Sequence, residues 1–184
     1  IHKGDQTPNL RGDVFVCEPT GQLVTRSRLH EDGASFRTER VGEQKDFLVS
    51  TDEWCRPVNL RNGPDSHLYI CDMYRRFIDH ARFFPDGFSD RHFMRAGFDQ
   101  GRIYRLVEKG QSASVVKPLP SENDELVSLL ASSNSWQRLH AQEILVSENR
   151  VGLESELRSL LYDSPNPQTR LHALWTLTGL KKLS

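Results

Sequence analysis

The apolar pattern of this chain changes period once, and that change constrains the fold more than any other feature. Up to about residue 108 the apolar residues fall in short runs separated by turn residues, as in antiparallel strands. Val14 and Val16, then Leu23 and Val24, bracket the turn EPTGQ, and 47–50 and 58–60 are further short runs. Over 68–73, Leu68 and Ile70 alternate with Tyr69 and Cys71, as in a strand with one buried face. Beyond about residue 122 the spacing becomes helical. Leu126, Leu129 and Leu130 share one face, as do Leu153, Leu157, Leu160 and Leu161. Between the two patterns lies GQSASVVKPLPS (110–121), which reads as a linker. The expected fold class is therefore mixed, β then α, with domains at 1–109 and 122–184.

The helical part repeats itself. LVSLL at 126–130 matches LRSLL at 157–161, and RLHA at 138–141 recurs at 170–173. Ser121 and Ser135 are expected N-caps. Asn166 is another, with Pro167 at the first helical position, and Gly179 is expected to end the last helix. Each unit reads as helix, short turn, helix, and resembles a HEAT repeat. Such units bury their apolar faces by stacking on neighbours. Leu129, Leu139, Leu160 and Leu171 occupy equivalent places and are expected in one shared core.

Composition narrows the function classes. The 184 residues carry a net charge of −1, which argues against a polyanion-binding protein, so no nucleic-acid partner is expected. No apolar run approaches the roughly 18 residues of a membrane span. The chain shows no signal peptide and opens on IHKGDQ, so a preceding part is expected. Cys17, Cys55 and Cys71 form neither a haem-attachment motif nor zinc spacing. Cys55 and Cys71 are either neighbours bridged across a hairpin or buried free thiols. No metal site, Ser-His-Asp pattern, G-x-G-x-x-G or P-loop is present.

Four motifs occur in order: RGDVFVCEPTGQLVTRSRL, EWCRPVNL, GPDSHLYICDMYR and GRIYRLV. Together they resemble the C-terminal part of the β-propeller in membrane-bound dehydrogenase-like proteins of the Planctomycetes and Verrucomicrobia type. Those are relatives of sugar and sorbosone dehydrogenases that use pyrroloquinoline quinone (PQQ). The resemblance covers roughly 1–108. It implies a partial propeller that does not close a ring, followed by HEAT-like repeats. It further implies a sugar or alcohol substrate, PQQ as the cofactor of the full-length parent, and a periplasmic or membrane-associated location. The helical repeats suggest a protein partner. The alternative is a non-catalytic propeller plus HEAT-repeat scaffold that binds proteins or carbohydrates.

The candidate cofactor-binding residues are Arg56, Asp72 and Tyr74. In the resembled enzymes an arginine at the start of the equivalent inner strand reaches the cofactor's carboxylates, which suits the planar guanidinium fork. The competing role for Arg56 is an ion pair with Asp72 or a cation–π contact with Trp54 or Tyr74. Pairing Leu60 with Leu68 sets Arg56 opposite Asp72; a bulged turn sets it opposite Tyr74. In the turn Asn62-Gly63-Pro64-Asp65-Ser66-His67, the resembled family has glycine where this chain has Ser66. A left-handed conformation there would cost on the order of 1 kcal/mol. Arg75 and Arg76 read as surface charges, and Asn59 as a polar contact to backbone. His80 and His92 are the available bases for sugar oxidation, without a recognisable catalytic arrangement around either. The catalytic residue is unassigned. His140 and His172 read as packing residues encoded by the repeat. Residues 77–99 fit no period and read as a long insertion before the strand 102–107.

Overall fold

Seven strands come first and four helices follow in the computed structural model, which describes residues 8–42, 45–85, 94–113 and 115–183. The described residues group into two units, 8–61 with 67–109, and 62–66 with 110–183. The first holds two antiparallel sheets that do not close. In one, β1 (Val14–Glu18), β2 (Leu23–Asp32) and β3 (Ser35–Arg40) lie in that order, and β4 (Leu48–Val49) also pairs with β2. In the other, the order is β5 (Pro57–Asn62), β6 (Leu68–Asp72) and β7 (Arg102–Arg105).

The alternation in β6 is the one its sequence specifies. Leu68, Ile70 and Asp72 are buried, while Tyr69 and Cys71 are half-buried. Val24 of β2 is fully buried. Buried Asp13 accepts Arg26 Nε at 2.5 Å, and Arg26 also donates to the Asn9 carbonyl at 2.6 Å, so this carboxylate is neutralised and bonded together.

The turn before β6 closes with the Ser66 N–H donating to the Gly63 carbonyl at 3.1 Å. Ser66 has φ +65°, the left-handed region that favours glycine. Ser66→Gly is therefore expected to raise stability by about 1 kcal/mol in urea denaturation. A loss of stability would show that the serine side chain is needed.

The second unit is helical: α1 (Asn123–Leu129), α2 (Ser135–Ser147), α3 (Glu154–Asp163) and α4 (Pro167–Gly179). Leu126, Leu130, Ala141, Leu145, Leu157 and Leu177 are fully buried in one cluster. The repeat is visible in hydrogen bonds as well as letters. Asn134 and Asn166 cap α2 and α4 by accepting from Trp136 N and Gln168 N, each at 2.9 Å. Arg138 Nη1 donates to the Ser132 and Ser133 carbonyls, and Arg170 Nη1 to those of Ser164 and Pro165, in the loop before each helix. Asn149 (φ +49°) and Lys181 (φ +58°) then end the two helices in the left-handed conformation. In each case the next residue's N–H reaches back five residues, from Arg150 to Leu145 and from Lys182 to Leu177.

Several expectations need correction. Ser121 does not cap α1; Glu122 occupies that position without a side-chain bond, and Asp124 and Glu125 supply negative charge to the first turn. Ser135 lies inside α2 because Asn134 is the cap. Gly179 does end α4, but for a packing reason: a Cβ there would stand 2.7 Å from both Val146 methyls. Leu139 and Leu171 are about half exposed, at 55% and 51%, and only Leu129 and Leu160 of the expected four pack against the core. Each exposed leucine is one residue, about 100° of helix, beyond the arginine that turns inward. Arg138, Ala141 and Leu145 make the inward row instead.

Candidate functional site

Asp72, the last residue of β6, is only 3% exposed, so its carboxylate needs internal donors. Oδ1 accepts the main-chain N–H of Arg56 at 2.7 Å and of Tyr74 at 2.9 Å. Oδ2 accepts the Tyr104 hydroxyl at 3.4 Å. One carboxylate thus joins the start of β5, the end of β6 and a side chain of β7. The structure does bring Arg56, Asp72 and Tyr74 together, but through main-chain N–H groups of the first and last. Just beyond the two strands, Met73 N donates to the Arg56 carbonyl and Arg75 N to that of Trp54, which keeps the two chains paired past Asp72.

The Arg56 guanidinium is turned to backbone. Nε donates to the Arg75 carbonyl at 2.9 Å and Nη2 to the Arg76 carbonyl at 2.9 Å. Nη1 donates to the Pro19 and Thr20 carbonyls at 2.9 and 3.3 Å. It ties the β1–β2 turn to the chain leaving β6.

Arg75 behaves similarly and is not a plain surface charge. It donates to the carbonyls of Met73, Tyr74, Gly97 and Phe98. This pins the returning end of the long segment before β7. Gly97 (φ +88°) is required at that contact, since a Cβ would lie 2.5 Å from the Tyr74 carbonyl oxygen. Tyr74 itself is held at φ +50°, a conformation uncommon for an aromatic residue.

The outer side of this corner adds Arg102, Tyr104 and Asp52, which were not candidates from the sequence, to Trp54 and Tyr74. Arg102 pairs with Asp72 across β6 and β7, is exposed, and lies with Cζ 3.7 Å from the Tyr74 ring centroid. Tyr104, two residues along β7, is 43% exposed and hydrogen-bonds Arg102. Asp52 caps the Trp54 N–H at 3.0 Å and bonds the Tyr74 hydroxyl. Trp54 and Tyr74 have ring centroids 5.8 Å apart. The available signal was the spacing of Arg102 and Tyr104 in GRIYRLV, which sets both on one strand face.

The remaining candidates lie elsewhere. Asn59 is exposed, and so is His80, whose Nδ1 accepts from Arg82 N at 3.1 Å. His92 lies outside the described residues. Arg76 is exposed, with its guanidinium 5.5 Å from the Phe77 ring. His140 stacks on Trp136, and His172 Nδ1 meets Gln142 Oε1 at 2.8 Å. All three cysteines are free, so Cys55 and Cys71 are not bridged. Among the described residues no group of His, Cys, Asp and Glu is arranged to hold a metal, and no helix is long and apolar enough to cross a membrane. In the helical unit a groove of about 600 Å³ runs between α2 and α4, lined by Leu139, Val146, Trp175 and Gly179 among others.

Four acidic groups of the sheet unit favour their neutral forms. The bond to Asp52 raises Tyr74, and burial raises Tyr104, above the usual 10.0. Burial likewise raises the Cys17 and Cys55 thiols above 9.0. A raised pKa means the folded state holds the proton more tightly, so stability is full below the ordinary pKa and falls as pH rises through the raised one. The melting temperature is therefore expected to fall as pH climbs beyond about 9. A melting temperature unchanged between pH 8 and pH 11 would contradict these shifts.

A family model described as a domain of unknown function (DUF7133) matches residues 1–110. The chain belongs to that family. The match spans every residue of the corner, from Asp52 to Tyr104. Comparison with curated proteins and with solved structures gave no significant match.

Proposed function

We propose that this chain is part of a propeller-type, quinone-dependent dehydrogenase acting on a sugar or related alcohol, in which HEAT-like repeats follow the propeller segment. The sequence resemblance supplies the chemistry. The observation that carries the site is the corner itself, where Asp72 gathers Arg56, Tyr74 and Tyr104 at one end of a sheet. Arg56 and Asp72 form the rigid wall of the cofactor site, and Tyr74 presents its ring and hydroxyl from that wall. The polar wall has its geometry fixed by these internal bonds before a ligand arrives, which lowers the cost of ordering on binding. PQQ, when bound, supplies the electron acceptor for alcohol oxidation. This reading goes with a periplasmic or membrane-associated location.

The experiment is PQQ binding by the full-length parent and by its Arg56→Lys variant. Lysine keeps the charge but cannot reproduce the planar fork, so the wall should loosen and affinity fall. Absence of PQQ binding by the unaltered parent would sink the dehydrogenase reading.

One pair of observations favours a second reading, a non-catalytic propeller and HEAT-repeat scaffold. The Arg56 guanidinium is turned to four main-chain carbonyls, and the α2–α4 groove exposes apolar side chains suited to a protein partner. The same binding experiment separates the two.

A further inference from the structure

We propose that this chain self-associates by docking the extended segment 115–120 (VVKPLP) of one copy into the α2–α4 groove of a second copy. The inference goes beyond the cofactor reading and is independent of PQQ binding. It starts from the groove. Leu139 and Glu143 are four residues apart on α2, and Leu171 and Trp175 hold the equivalent places on α4. Leu139, Val146, Trp175 and Gly179 give the groove an apolar lining, and Glu143 adds its one carboxylate. Trp175 is 55% exposed. Among the described residues the Glu143 side chain is exposed and has no ion-pair or hydrogen-bond partner.

The segment that complements this groove lies on the same chain. Residues 115–120 form neither helix nor strand. Pro118 and Pro120 fix their own φ and hold Lys117 and Leu119 extended. Val115 is 85% exposed, more than any other large apolar residue described, and Val116 is also exposed. Lys117 is exposed, and among the described residues its ammonium has no ion-pair partner. The chain's own segment does not line its own groove, so both surfaces stand open to a second copy.

Charge and shape select this occupant. Lys117 answers Glu143, and a lysine ammonium beside Trp175 gains a cation–π contact as well. Val115 and Val116 bring apolar surface to Leu139 and Val146, and both sides leave water on docking. Proline-containing extended segments suit aromatic-lined grooves, because the prolines remove chain freedom before binding. Groove and segment both belong to the helical unit, so each copy offers both halves of the contact. A mutual exchange closes the assembly at two copies.

The test is sedimentation equilibrium of the full 184-residue chain, with calorimetry of a synthetic peptide, SASVVKPLPS, added to it. The chain should pass from monomer to dimer as concentration rises, and the peptide should bind and compete with dimer formation. Lys117→Glu and Glu143→Lys should each weaken dimerisation by roughly fivefold or more, because a mutual exchange loses the pair twice. The double variant, with the charges swapped, should recover most of the loss. Val115→Asp should weaken dimerisation without affecting the groove. All these side chains are exposed, so the melting temperature of the monomer should stay constant in every variant. A chain that stays monomeric and does not bind the peptide would overturn the proposal. Peptide binding by a chain that stays monomeric would overturn the second copy as occupant and assign the groove to such a segment of another protein. Dimerisation unaffected by either charge reversal would place the contact elsewhere and overturn the proposal too.

Discussion

Arg56→Met should destabilise the sheet unit by roughly 2–4 kcal/mol, since hydrogen bonds to a charged group contribute about 1.5–3 kcal/mol each and four are lost together. The partial exposure of the accepting carbonyls, which lets water replace some of those bonds, keeps the total below a simple sum. Methionine retains the apolar stem, so the change isolates the guanidinium. The carbonyls of Pro19, Thr20, Arg75 and Arg76 would lose their common donor, and the β1–β2 turn would lose its tie to the chain after β6. Urea denaturation followed by Trp54 fluorescence reads this directly. The result also separates two roles. A residue that only contacted a cofactor would lose binding on substitution and leave stability unchanged. A loss under about 1 kcal/mol would show that the four bonds contribute little beyond what water supplies.

Leu157→Ala should cost about 2–5 kcal/mol, the range for deleting a buried leucine side chain where neighbours relax only partly. Leu157 is fully buried with Leu126, Leu130, Leu145 and Leu177. Leu139→Ala, in contrast, should cost under about 1 kcal/mol, as exposed substitutions away from special features do. The two leucines are equally apolar, so the comparison tests the orientation of α2 and α3 rather than composition. Thermal denaturation monitored by helical circular dichroism is the measurement. Equal losses from both variants would place Leu139 in the core and undo the assigned faces.

How far the sequence could be read depended on the range of the interaction. Alternation of 68–72 and the helical leucine spacing are local and reported burial correctly, because side-chain direction follows from backbone period alone. Asn166 and Pro167 at the start of α4 were legible for the same reason. For Ser66 the signal was the resemblance, which has glycine at that place and so implied the left-handed conformation found there. The helix caps at Ser121 and Ser135 were misplaced by one residue, since serine, asparagine and acidic residues compete for the same position with similar energies.

The sequence by itself determined the order of elements, strands before helices, and the existence of a repeat. Hydrophobic period and turn chemistry act over a few residues and need no partner. Tertiary structure alone decided what the polar residues do. Arg56 has its acceptors at Pro19, Thr20, Arg75 and Arg76, far from it in sequence, and no local pattern encodes that convergence. The same holds for Arg102, whose stacking on Tyr74 depends on the pairing of β6 with β7 across a long insertion. It holds again for RLHA, where the repeat marked equivalence but only helix packing showed that the arginine and alanine turn inward and the leucine outward. A charged side chain has several competing acceptors of similar energy, and the fold chooses among them by distance.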